Sequence, residues 1–227
     1  MCSVTSLVFC LSKLLPSEVA GKHVLELGAR DVNGSVRPVV ETWHPASYLG
    51  VDLEPGTGVD LVLDARELLD RFGAERFDVV IATEILEHIR DWRGIVSIMK
   101  RLLKPNGILL ITTRSRGFEY HAYPADFWRF ELADMATIFA DMTIDALVPD
   151  PLDPGVFLRA RKPEAFIEAN PADHRLYSIV TGRQDREIQD SDLSGARYLR
   201  LVAMLHAKEA FRNLKRYIRQ FSNSRPG

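Results

Sequence analysis

The stretch His23–Ser35, HVLELGARDVNGS, decides the fold. Val24, Leu25 and Leu27 form a short apolar run that stops at Gly28. Such a run is consistent with a buried parallel strand, although periodicity alone does not exclude a helix. Polar, glycine-containing residues follow, then a helix-like segment over Ser35–Trp43 with Pro38 in its first turn, where no backbone N–H is missed. Strand, glycine turn and helix start present backbone N–H groups to a ligand at the carboxyl edge of an α/β sheet. Gly28 permits a close approach that a Cβ would obstruct.

Working outward, strand-like and helix-like segments alternate. Tyr48–Leu53, Val59–Leu63, Phe77–Ala82 and Ile108–Thr113 read as strands, and Ala65–Phe72 and Glu84–Leu103 as helices, the second with a break near Asp91. Lys104-Pro105-Asn106-Gly107 is a stop signal. This alternation argues for a parallel, doubly wound sheet. Glu131–Ala140 is a further helix candidate. Met142–Val148 and Gly155–Arg161 flank a Pro-rich turn and read as an antiparallel hairpin on the sheet edge. Residues 162–190 carry no assignable pattern. Ser191–Phe221 is helical, and the tail SNSRPG is expected to fray. Met1–Val19 reads as one amphipathic helix covering the sheet rather than a signal peptide, since Lys13 interrupts its apolar run.

The chain has 227 residues, 46% hydrophobic and 26% charged, ordinary values for a soluble globular protein. A net charge of −2 gives no electrostatic reason to expect nucleic acid. Cys2 and Cys10 are too few for a disulfide framework, so a reducing cytoplasm is the default. No run approaches the roughly 18 apolar residues that span a membrane.

The turn after Gly28 departs from the dinucleotide fingerprint, because Arg30 stands where a pyrophosphate needs bare backbone. No Walker A loop is present. A nucleoside without a bridging diphosphate fits better than NAD or ATP. Asp52, at the tip of the second strand, is placed to accept hydrogen bonds from ribose hydroxyls. Asp64, on the third, is placed for an exocyclic amine, and Glu26 for an ammonium group. An acidic rim of this kind suits a ribose, an adenine and an amino acid.

These residues carry a resemblance. Over residues 22–161 the chain resembles the class I S-adenosylmethionine-dependent methyltransferases: VLELG their first motif, YLGVDL the second, DVVIATEILEHI the fourth-strand motif and LLKPNGILLITT the fifth. The EILEH run is similar to that of methyltransferases of the ubiquinone-biosynthesis type. The resemblance implies an α/β, Rossmann-like, doubly wound sheet of seven mostly parallel strands with an antiparallel last strand, plus a C-terminal helical extension. It implies a cofactor-binding domain over residues 1–163 and an extension over 164–227 serving as lid, docking element or dimer contact. It assigns Glu26 and Gly28 to the methionine end of the cofactor, Asp52 to the ribose, Leu53 to the adenine face, and Asp64 with Ala65 to the adenine edge. The resemblance places Thr83 and Glu84 beside the methionine moiety; Gly28-Ala29-Arg30-Asp31-Val32 departs from the family's G-x-G-x-G, and Arg30 is expected to supply a contact near the carboxylate.

Methyl transfer requires an acceptor aligned with the S–CH3 bond and a group that takes its proton. The stretch Tyr120–Arg129 combines His121 and Asp126 with an aromatic wall, so these two are the candidate catalytic residues, His121 as base and Asp126 orienting it or acting itself. The alternative is that Asp126 caps the next helix while Phe127, Trp128 and Phe130 are core. His88 shares a helix face with Glu84 at a four-residue spacing and reads as a structural histidine. His121, His174, His206 and the scattered acids show no metal spacing, and no metal is expected. The C-terminal helix sets Phe211, Leu214, Ile218 and Phe221 against Arg212, Lys215, Arg216 and Arg219. Docking or a homodimer contact is preferred there to membrane contact.

The expected function is O-methylation of a small molecule or a sugar or glycan intermediate. The alternatives are a nicotinamide-dependent oxidoreductase on a similar sheet and a non-catalytic scaffold subunit that keeps the fold. Arg30 counts against the first, and the intact acids against loss of cofactor binding in the second.

Overall fold

The structure, a computed structural model, describes residues 3–122 and 125–222, with side chains to residue 215. All of the tail beyond Ser222, and Tyr123 and Pro124 of the aromatic connection, lie outside the described residues.

Seven strands form the main sheet: β1 (His23–Leu27), β2 (Ser47–Asp52), β3 (Leu61–Val62), β4 (Phe77–Thr83), β5 (Leu103–Arg114), β7 (Thr143–Pro149) and β8 (Gly155–Arg161). Their spatial order is β3-β2-β1-β4-β5-β8-β7. β3, β2, β1, β4 and β5 run parallel, and β8 is antiparallel to both β5 and β7. The hairpin expected at the edge therefore has only β7 outermost. β8 is inserted beside β5, and its Val156, Phe157, Leu158 and Ala160 are buried. A chain with buried residues on both sides of the pleat is an interior strand.

Two apolar layers enclose the sheet. Leu25 and Leu27 face one, with α5 (Trp92–Leu102) and α6 (Leu132–Ile138); Val24 faces the other, with Phe9, Cys10 and Leu14 at the N-terminus. The N-terminus is two helices, α1 (Val4–Lys13) and α2 (Pro16–Val19), where one was expected. Pro16 starts the second helix, because its missing N–H and the restriction it places on Leu15 end the first.

α3 (Arg37–Val40) and a following 3₁₀ turn (Glu41–Trp43) fulfil the expected helix, as does α4 (Leu68–Phe72) after the 3₁₀ turn Ala65–Glu67. The helix expected over Glu84–Leu103 is shorter. Glu84 has φ +55°, Leu86–His88 is a 3₁₀ turn, and α5 begins after Asp91, whose carboxylate accepts from the Gly94 N–H at 3.1 Å. Glu84 and His88 thus do not share a helix face. Asn106, at φ +64°, makes a turn within the residues that pair as β5. Residues 162–190 contain β9 (Leu176–Ser178) and β10 (Gln184–Asp185), which join β6 (Trp128–Arg129) in a small antiparallel sheet. A final long helix, α7 (Ala196–Ser222), follows.

Candidate active site

A cavity of about 770 Å³ opens at the carboxyl ends of β1 to β4. Volumes of this size take a cofactor or drug-sized ligand. Gly28 floors it at φ +71°, and a Cβ there would stand 2.2 Å from Ile85 Cγ2. Arg30 also lines the cavity, with its side chain drawn to Glu54 in an ion pair at the mouth.

Asp52 and Asp64 both reach the cavity, as their strand-tip positions predict. Asp52 Oδ2 accepts from the Arg30 N–H (3.2 Å) and Oδ1 from the Glu54 N–H (3.1 Å). A carboxylate offers about four lone-pair sites, so both oxygens keep capacity for a diol. Asp64 caps the next 3₁₀ turn through the Arg66 N–H at 2.9 Å, and the Arg66 guanidinium holds its carboxyl below the usual range. Leu53 and Ala65 line the same wall, Leu53 60% exposed.

Glu84 lines the cavity from the tip of β4 and is buried. It is ion-paired with Arg114, and its Oε1 accepts from the Ser6 hydroxyl at 3.0 Å. Burial, reinforced by the charge of Glu87 and opposed by Arg114, pushes its pKa up to about 7. Glu26 and Thr83 do not reach the cavity. Alternation along β1 turns Glu26 to the layer opposite Leu25 and Leu27, where Tyr48 donates to its Oε2 at 2.7 Å. Burial raises its pKa to about 7. Thr83 is likewise buried at the end of β4, one residue before the side chain that faces the ligand space.

Behind the cavity wall stands a second polar group. His88 lines the cavity, and its Nδ1 meets the Ala125 carbonyl at 2.5 Å. Burial lowers its pKa, favouring the neutral ring. His121 is one ring further back, its centroid 4.8 Å from that of His88. Its Nδ1 lies 3.0 Å from Asp126 Oδ2, and its Nε2 lies 3.9 Å from Glu87 Oε1. Asp126 is fully buried and gripped by Arg129 at 2.5 and 2.7 Å, which with His121 holds its pKa down to about 2. A carboxylate so enclosed orients the imidazole and does not itself meet an acceptor. It does not cap α6, whose N-terminus is closed by Glu131 and Asp134, while Trp128 and Phe130 are core.

Glu87, His88 and His121 offer ligand atoms within 4.8 Å of one another. The expectation that no metal-type cluster exists came from spacing along the chain, and the fold brings residue 121 to residues 87 and 88. Glu87 is fully buried; its Oε2 accepts from the Thr113 hydroxyl at 2.9 Å, and its Oε1 has no hydrogen-bond partner among the described residues.

Sequence reasoning missed the cavity's outer wall, Glu187–Gln189. Arg90 holds it by donating to the Ile188 carbonyl at 2.8 Å and pairing with Asp190. Ile188 itself is buried. His88, read from the EILEH run as a structural histidine, is hydrogen-bonded to the Ala125 carbonyl and also lines the cavity.

The family described as "Methyltransferase domain" matches residues 10–146. A "Ubiquinone biosynthesis O-methyltransferase" of Pasteurella multocida is 31% identical over 102 residues, 44% of this chain and 34% of that protein. One of the same name from Caulobacter vibrioides is 27% identical over 156 residues, 66% of this chain and 54% of that protein. The chain thus spans between about a third and about half of the length of these relatives. In fold it is similar to the Burkholderia thailandensis 1,6-didemethyltoxoflavin-N1-methyltransferase solved with S-adenosylhomocysteine, at TM-score 0.53 and 17% identity over 70% of this chain and 76% of that one.

Proposed function

Since this chain belongs to the family of methyltransferase domains, we propose that it transfers a methyl group from S-adenosylmethionine to a hydroxyl of a small molecule, a phenol ring being the acceptor that suits it best. The observation that carries this reading is the set of carboxylates on successive strand tips, Asp52, Asp64 and Glu84, around one cavity with an imidazole in its wall. The relatives named for ubiquinone-biosynthesis O-methylation support an oxygen acceptor. A sugar or glycan acceptor has no counterpart in those names and is left aside.

The residues fit the cofactor. Asp52 suits the ribose diol, Leu53 and Ala65 the faces and edge of the adenine, Asp64 its amine, and Glu84 the ammonium. When bound, the cofactor supplies a methyl group on an already activated sulfonium. The protein's task is then alignment and proton removal. His88 lines the cavity, with its Nε2 4.0 Å from Glu87 Oε1. His121 backs it, with a proton on Nδ1 directed at Asp126 and Nε2 turned to Glu87, whose carboxylate stabilises an imidazolium.

Calorimetry with S-adenosylmethionine, S-adenosylhomocysteine and NAD tests the cofactor, and mass spectrometry of a catechol incubated with methyl-labelled donor tests the acceptor. Binding of NAD alone rejects the reading.

The unpartnered Glu87 Oε1 favours a second reading of the rear cluster, as a divalent-cation site. Both histidines commit Nδ1 to a carbonyl or carboxylate, which leaves Nε2 free to ligate. Activity unchanged by chelation and by added divalent ions rejects it.

A further inference from the structure

α7 changes character along its length. Near its start it is tied to the body: Arg197 Nε donates to the Ile179 carbonyl at 3.1 Å, and Leu201 and Leu205 line a small cleft with Phe118 and Tyr177. From His206 to Lys215 every residue is exposed. Among the described residues, the last tie to the body along the helix is Lys208, whose Nζ pairs with Glu119 Oε2 at 2.7 Å.

The exposed side has a pattern. Leu199, Met204, Phe211 and Leu214 are 56%, 49%, 57% and 53% exposed. At 3.6 residues per turn they fall within an arc of about 140°. Lys208, Arg212 and Lys215 fall beside that arc, within about 60° of one another. The helix carries seven basic residues against one acid, Glu209, while the rest of the chain has 22 basic against 30 acidic residues.

We propose that the distal half of α7 docks on an anionic lipid surface, its apolar arc entering the interface and its cations meeting the headgroups. Two such helices side by side would set like charge against like charge, which disfavours a second copy as the occupant. Nucleic acid would use the cations and leave the apolar arc in water. An anionic bilayer satisfies both features together. No helix among the described residues is long and apolar enough to cross a membrane, so the contact is with the surface.

Cosedimentation of the full chain with vesicles tests this, using phosphatidylcholine alone and phosphatidylcholine mixed with phosphatidylglycerol. The chain is expected to sediment with the mixed vesicles only. The double variants Phe211→Ser/Leu214→Ser and Arg212→Glu/Lys215→Glu are each expected to weaken that binding about tenfold or more, with thermal unfolding and cofactor binding unchanged. No binding of the unaltered chain to anionic vesicles overturns the proposal. So does undiminished binding by Phe211→Ser/Leu214→Ser, which would mean adsorption without entry. Light scattering that shows a dimer lost in that variant, with no vesicle binding, assigns the face to a second copy instead.

Discussion

Nδ1 of His121 lies 3.0 Å from Oδ2 of Asp126, and the backbone N–H of His121 donates to the same oxygen at 3.0 Å. The carboxylate thus fixes both the ring and its tautomer, with Arg129 holding it from behind. If this pair serves proton removal, His121→Asn lowers kcat by about 10²–10⁴-fold, the usual span for a positioned acid–base group. Cofactor affinity stays unchanged, because His121 lies off the cavity. Asp126→Asn gives a smaller loss of kcat. Steady-state kinetics across pH reads both, and an unaltered kcat in His121→Asn removes His121 from the mechanism.

In the proposed function Asp52 acts at the cofactor, not at the chemistry. Its two oxygens accept the Arg30 and Glu54 N–H groups and face the cavity, so the variant Asp52→Ala loses the ribose contacts and slackens the loop after β1. A charged hydrogen bond contributes roughly 1.5–3 kcal/mol, so affinity for S-adenosylhomocysteine falls by about 10–100-fold. Isothermal calorimetry measures it. A variant binding as tightly as the parent places the ribose elsewhere.

The sheet was legible because each strand ends on a punctuating residue: Gly28 after β1, Asp52 at the end of β2, Asp64 after β3. Those endings also located most of the cavity. Glu26 lies off the cavity lining because a strand's two-residue period, and not nearness to the glycine turn, decides which face a side chain takes. Residues 162–190 gave no signal, since β9 and β10 are three and two residues long, β9 held by pairing with distant Trp128 and Arg129 and β10 by pairing with β9. His121 joined Glu87 only through tertiary folding, which no spacing along the chain records.

Glu26 makes the fold sensitive to pH. Its folded-state pKa of about 7 lies above the ordinary 4.5, with burial as the main cause. Between those values the folded chain keeps a proton that the unfolded chain has released, so stability falls as pH rises from 4.5 to 7 and the full cost is present above 7. The difference corresponds to about 3 kcal/mol. Glu26→Gln keeps an acceptor for Tyr48 and has no such cost. Urea unfolding at pH 5 and pH 8 is expected to show a smaller loss in the variant than in the parent. Equal losses in both proteins contradict a neutral Glu26.

Arg114 balances two buried carboxylates at once. It pairs with Glu84, lies 3.3 Å from Asp150 Oδ2, and stacks at 4.0 Å over the Phe118 ring. Ser6 and Thr5 of α1 complete the group by donating to Glu84 and Asp150. Arg114→Met fills similar space without the cation, which leaves both acids uncompensated and costs about 3–5 kcal/mol. Because Glu84 titrates near pH 7, the loss is larger at pH 8 than at pH 5.5, where Glu84 is neutral. The double variant Arg114→Met/Glu84→Gln recovers part of the loss at pH 8, since one of the stranded charges is gone. On the proposed function, in which Glu84 meets the cofactor's ammonium, it still binds the cofactor poorly. Denaturant unfolding at the two pH values, alongside calorimetry, separates these effects. A penalty independent of pH, or a double variant less stable than Arg114→Met alone, shows that Arg114 acts through packing over Phe118 and not through charge.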